Sequence, residues 1–226
     1  MRRCALGLLV SGCLCAAGGA ALAAAGGVSP ATVTTAASTP ASHVRTNTAT
    51  DPLPDAAIGD LDEVMHLLAQ RQHGRVEFIE QQFLSILKHP VESSGELRYD
   101  APDRLEKRTL LPRPETLVLS GGVLTVERGE HRHVLDLHRY PQIQPFVESI
   151  RATLAGDRTA LERIFHVAFA GGVERWSLTL VPLDHQLART VKQVQIDGSR
   201  DQLSRVEIRQ ADGDRSLMTL RTPAAP

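Results

Sequence analysis

The chain has 226 residues, 42% hydrophobic and 23% charged, enough for one domain or two small ones. A formal charge of −1 excludes nucleic-acid recognition through a basic face. Aromatic residues make up only 4%, so any core must be built from Leu, Val and Ile.

The chain opens MRRCALGLLVSGCLCAAGGAALAAAGG, with a basic start, an apolar middle and small residues after it. The apolar part is too short to span a membrane, and residues 1–23 are expected to be a secretory signal. Two exits compete. The small-x-small run at residues 21–23 would place cleavage after Ala23, whereas VSGC at residues 10–13 would place a lipid on Cys13. The first is preferred, because the second leaves a very short apolar region. All three cysteines (Cys4, Cys13 and Cys15) lie in this leader, so the rest of the chain can form no disulfide, thiol nucleophile or cysteine zinc site. A cysteine-free domain behind a signal suits the bacterial periplasm. Residues 24–56 are Ala, Thr, Ser and Pro with almost no large apolar side chain, and are expected to be disordered. This segment is a passive tail, or a tether if Cys13 is lipidated.

A folded domain is expected over residues 57–222. IGDLDEVMHLLAQRQ sets Ile58, Leu61, Met65 and Leu68 on one helical face, with Val64 and Leu67 beside them. A long strand is expected over 75–87, then an alternating strand with Val91, Leu97 and Tyr99 on one face. Strands follow at 104–111, 115–120, 123–128 and 131–138, with SGG and RGEHR as hairpin turns. Ile143, Phe146, Val147, Ile150 and Leu154 then recur at helical spacing, with Pro145 in a first turn and Gly156 as a stop. A second helix starts at the N-cap Asp157. Strands return at 165–170, 174–182, 191–197, 203–210 and 215–221, with ADGD as a turn. The fold class is mainly β with helices: ten or eleven antiparallel strands in a curved sheet, an incomplete barrel with helices filling its concave face.

Chemistry is sparse in this pattern. His131 and His133 share one strand face with His138 nearby, but a metal site needs a third ligand, and an exposed hairpin end is the preferred reading. There is no G-x-S-x-G elbow and no phosphate loop. Glu77 with Glu80, and Asp60 with Asp62 and Glu63, are read as solvated faces. What remains is shape: a concave aliphatic surface suits an acyl chain, held by the hydrophobic effect.

Several ordered segments resemble the LolA/LolB family of periplasmic lipoprotein carriers. GELRYDAPDRLEKR is similar to the family's Gly-x-Leu-x-x-x-x-Pro segment through Gly95, Leu97 and Pro102. LVLSGGVLTV resembles its hairpin through Val118, Ser120, Gly121 and Leu124, and RWSLTLVPLD its Leu-x-Pro strand through Leu180 and Pro182. Phe78, Glu80 and Gln81, and the closing hairpin LSRVEIRQADGDRSLMTL, complete a match over about residues 58–221. The resemblance implies an incomplete barrel closed by helices, with an acyl-chain cavity, no cofactor and no catalysis. It implies an acylated lipoprotein or other lipid as cargo, an inner-membrane release or export complex, and an outer-membrane acceptor. The expected wall is Leu97, Tyr99, Leu105, Val118, Leu124 and Val126 from the strands, with Phe146 and Ile150 from the helix. Two departures stand out. Ala101 occupies the position where the family's carriers have Arg before the Pro, and the aromatic positions of the next strand are changed. By that alignment Leu105 and Lys107 point inward, where Lys107 would meet a lipid head group or carboxylate. The preferred reading is instead a snorkelled side chain, or a register shifted by one that turns Arg104, Glu106 and Arg108 inward.

Overall fold

The computed structural model describes residues 55–140 and 144–223. The expected signal over 1–23, the segment 24–56 up to Pro54, the lipidation site Cys13 and the helix residue Ile143 lie outside them, as do the side chains of Ile58 and Phe146.

Alternation of apolar and polar residues produces eleven strands in one antiparallel sheet. The first six are β1 (His73–Phe83), β2 (Val91–Asp100), β3 (Arg104–Leu111), β4 (Glu115–Ser120), β5 (Val123–Arg128) and β6 (His131–Asp136). The rest are β7 (Phe165–Gly172), β8 (Arg175–Pro182), β9 (Val191–Ser199), β10 (Gln202–Gln210) and β11 (Arg215–Arg221). The order is β6-β5-β4-β3-β2-β1-β11-β10-β9-β8-β7. Two meanders thus meet where β1 pairs with β11, Phe78 opposite Leu220 and Glu80 opposite Met218. β6 and β7 are the outer edges, so the sheet is an incomplete barrel rather than a closed one. Register shifts between Ser94 and Gly95 and along β9–β10 break the regular ladder, as bulges do where a sheet bends. Gly95 is there because nothing larger fits: a Cβ would lie 1.9 Å from the Arg108 carbonyl oxygen.

The helices are α1 (Asp55–Ala69), α2 (Gln144–Leu154), α3 (Arg158–Ile164) and the short α4 (His185–Ala188). Leu61, Val64, Met65 and Leu68 are all buried, as helical spacing requires, and α1 packs on β7 and α2. Gly156 ends the α2 segment at φ +64°, and Asp157 caps α3 by accepting from the Ala160 N–H at 2.9 Å. Apolar side chains of the helices and of the concave face form one core, centred on Leu61, Leu161, Leu178, Leu180 and Val191.

Some element ends differ from expectation. β1 stops at Phe83 instead of residue 87, because Leu84 to Leu87 close a turn and the Ser85 N–H donates to Asp214. β6 stops at Asp136, whose carboxylate accepts from the His138 N–H and opens a 3-10 turn over Leu137–Arg139. Asp184 does the same for α4, a helix too short to show a period.

Candidate functional site

Strand parity decides what faces the concave side. On β3 the alternation sets Leu105, Lys107 and Thr109 inward, and Arg104, Glu106 and Arg108 outward. Their neighbours across the ladder are Leu119, Leu117 and Glu115 on β4. The same side carries Leu97 and Tyr99 from β2 and Leu124 from β5. In the second meander it carries Leu180, Val194 and Ile196, then Val206, Ile208 and Met218. The helix α2 lies across this surface with Ser149, Ile150, Thr153 and Leu154. The Thr153 hydroxyl donates to the Ser149 carbonyl at 2.8 Å, so it is satisfied within its own helix. Between sheet and helix is a cavity of about 230 Å³ with an overwhelmingly aliphatic wall.

One end of this surface is polar. Glu80, 1% exposed, accepts from Lys107 Nζ at 2.5 Å, from the Ser216 hydroxyl at 2.6 Å and from Ser93 at 3.5 Å. Lys107 also stands 5.0 Å over the Phe78 ring, a cation–π contact. Further along the same face Arg128 donates to the buried Glu115 carboxylate. Lys107 also lines a small hollow of about 20 Å³ of mixed character, with Gln82, Ser93, Thr109 and Arg113 beside Val91 and Pro112. Burial pushes the Tyr99 phenol above its ordinary pKa, with Arg151 opposing and Asp103 reinforcing the rise, so it stands in the cavity wall as a neutral hydroxyl.

The cavity brings together Leu97, Tyr99, Leu105, Lys107, Leu124 and Ile150 of the expected wall. Val126 is buried in the core beside it. Val118 is a correction: it lies on the convex face, and Leu117 and Leu119 take the inward positions. Three consecutive apolar residues leave the parity of β4 open until β3 is laid against it. Glu80 is a second correction, buried rather than solvated. The Lys107 register is the unshifted one, and the anion it meets is a carboxylate of its own chain. Val194 with Ile196, and Val206 with Ile208, were missed, although their period-two spacing in VQI and VEI signals them. His131 and His133 are exposed on the edge strand, and among the described residues no group of three or more His, Cys, Asp or Glu side chains gathers.

A curved antiparallel sheet around an aliphatic cavity, with a helix over it, agrees with a family model that matches residues 54–226: outer membrane lipoprotein carrier protein LolA-like. The chain belongs to this LolA-like family. No curated protein sequence matches it significantly. Solved structures of similar fold include a LolA superfamily protein from Nitrosomonas europaea, 10% identical over 76% of this chain and 95% of that one, with a TM-score of 0.41. The lipoprotein LppX of Mycobacterium tuberculosis is 11% identical over 74% of this chain and 98% of its own, with a TM-score of 0.41. MucB bound to MucA from Pseudomonas aeruginosa is 16% identical, with a TM-score of 0.41 over 74% of this chain but 58% of that one. Within the LolA-like pattern, this chain has Ala101 before Pro102, in a cis peptide bond.

Proposed function

We propose that this protein carries an acyl chain, from a lipoprotein or another lipid, through the periplasm towards the outer membrane. The observation that carries the reading is the 230 Å³ aliphatic cavity between sheet and helix. Each methylene removed from water there contributes about 0.8 kcal/mol, so some ten methylenes supply roughly 8 kcal/mol against the cost of association. The cavity is below the ~300 Å³ at which ligand pockets usually start, and it is open on one side, so a long chain fills it in part and extends outward. The signal-like leader supports the periplasmic setting. An inner-membrane release or export complex would supply the cargo, and an outer-membrane acceptor would receive it. Ala101, where the family's carriers have Arg, argues against receipt of lipoproteins from the family's usual release complex. No catalytic step is proposed.

Native purification from the periplasm, followed by mass spectrometry of bound lipid, tests this. A co-purifying acylated molecule is expected; an empty protein without affinity for acyl chains would sink the proposal. A second reading, a lipid-anchored outer-membrane acceptor resembling LolB, rests on the VSGC sequence at Cys13. The mass of the mature amino terminus decides between them, since a diacylglyceryl-modified Cys13 is far heavier than a chain cut after Ala23.

A further inference from the structure

The carrier reading leaves one buried feature unused: an ion pair between Glu80 and Lys107, of which Lys107 lines the largely aliphatic cavity. From β1 the concave face receives Val76, Phe78, Glu80 and Gln82 in turn, apolar first and then polar. β3 repeats the change with Leu105, Lys107 and Thr109. Across the ladder Lys107 is level with Leu97 and Val76, and Glu80 with Ser93, so the pair meets diagonally between β3 and β1. Lys107 alone separates two spaces, because it lines both the 230 Å³ cavity and the 20 Å³ hollow of mixed character. Leu97 and Leu117, the ladder partners of Lys107, and Met218, the partner of Glu80, still belong to the aliphatic wall.

Resting on the carrier reading, we infer that the Glu80–Lys107 pair is the floor of the cavity and fixes the longest hydrocarbon chain it accepts. A methyl terminus that reaches this level cannot advance. Going on would either separate two buried opposite charges or crowd the methyl group into a 20 Å³ hollow beside the Ser93 and Thr109 hydroxyls, the Gln82 amide and Arg113. A chain end that can hydrogen-bond loses nothing there. Glu80 and Lys107 are thus specificity-determining residues.

The test is titration of the delipidated full-length protein with a homologous series of straight-chain fatty acids, each below its micelle concentration. Affinity of the wild type should rise roughly fourfold per methylene and stop rising at a defined length. In a Glu80→Leu/Lys107→Met variant, which replaces the pair by apolar side chains of similar bulk, the break should move to longer chains, each further methylene again worth roughly fourfold. An unchanged break in the variant overturns the inference while leaving the carrier reading intact. Failure of the wild type to bind any member of the series overturns both.

A measurement on the wild type alone guards against a variant that does not fold. A terminal hydroxyl should weaken binding of short chains about tenfold or more, because it is buried without a partner. At the break length that penalty should vanish. An equal penalty at every length overturns the floor.

Discussion

An ammonium group in an aliphatic wall is tolerable only if its charge is answered. At Lys107 the answer is Glu80 at 2.5 Å, itself held by Ser216 at 2.6 Å. Removing one member strands the other, which typically costs about 3–5 kcal/mol, whereas replacing both by apolar groups is often neutral. Glu80→Gln and Lys107→Met should each lower the unfolding free energy measured by urea titration by that order, and the Glu80→Leu/Lys107→Met double variant should recover most of the loss. If the two single losses simply add in the double variant, the two groups are not energetically coupled. Read from sequence, Glu80 joins Glu77 on a solvated face, although the two are three apart in the strand expected over 75–87. On a strand three residues is an odd step, so Glu77 goes out and Glu80 in. The resemblance offers an inward Lys107, but the snorkelled or shifted alternative is preferred from sequence, since the partner that makes a buried ammonium tolerable stands 27 residues away in the chain.

At the level of elements, the link between α2 and α3 depends on Gly156. Its φ of +64° costs any L side chain about 1–2 kcal/mol, and a Cβ would also lie 2.0 Å from the Met65 carbonyl of α1. Gly156→Ala should therefore lower Tm through loosened helix packing, seen as faster amide exchange in α1 and α2; unchanged exchange would contradict it. On the convex face, β10 and β11 share one carboxylate. Burial raises the pKa of Glu207, but hydrogen bonds from Arg209 and Arg205 and the charge of Arg215 outweigh it, and the group lies below the ordinary carboxylate value. A depressed carboxylate contributes stability that is present above the unfolded-state value and lost as pH falls through the folded one. Glu207→Gln should be less stable than wild type at neutral pH, by a margin that closes in acid below about pH 4.3. A margin independent of pH would remove this account. The amphipathic helices and the alternating strands were legible because burial imposes a period on them. The end of β1 was not, because it is set by Asp214 of a hairpin distant in sequence.

For the molecule as a whole, the two sheet faces make opposite predictions for one kind of change. Val206→Asp puts a charge in the cavity wall and should abolish binding of a fluorescent fatty acid, while Val118→Asp on the convex face should leave it within about twofold, since an outward carboxylate is solvated. Equal losses would mean that the cavity is not where the chain binds. The strand count and the incomplete barrel could be read from hydrophobic alternation and turns. The completed wall could not, because half of it comes from the second meander, and only pairing shows that Met218 shares a surface with Leu97. That pairing also has a consequence in time. β1 and β11 lie side by side at the middle of the sheet, and the Glu80–Ser216 bond between them spans 136 residues. A ribosome makes β1 early and β11 last of the eleven. Until β11 arrives, β1 and β10 both present open edges, the condition in which strands find wrong partners. The final strand thus joins two half-sheets and supplies Met218 and Leu220 to the wall in one step. An unfinished chain has nowhere to put a lipid, so loading waits for the whole domain.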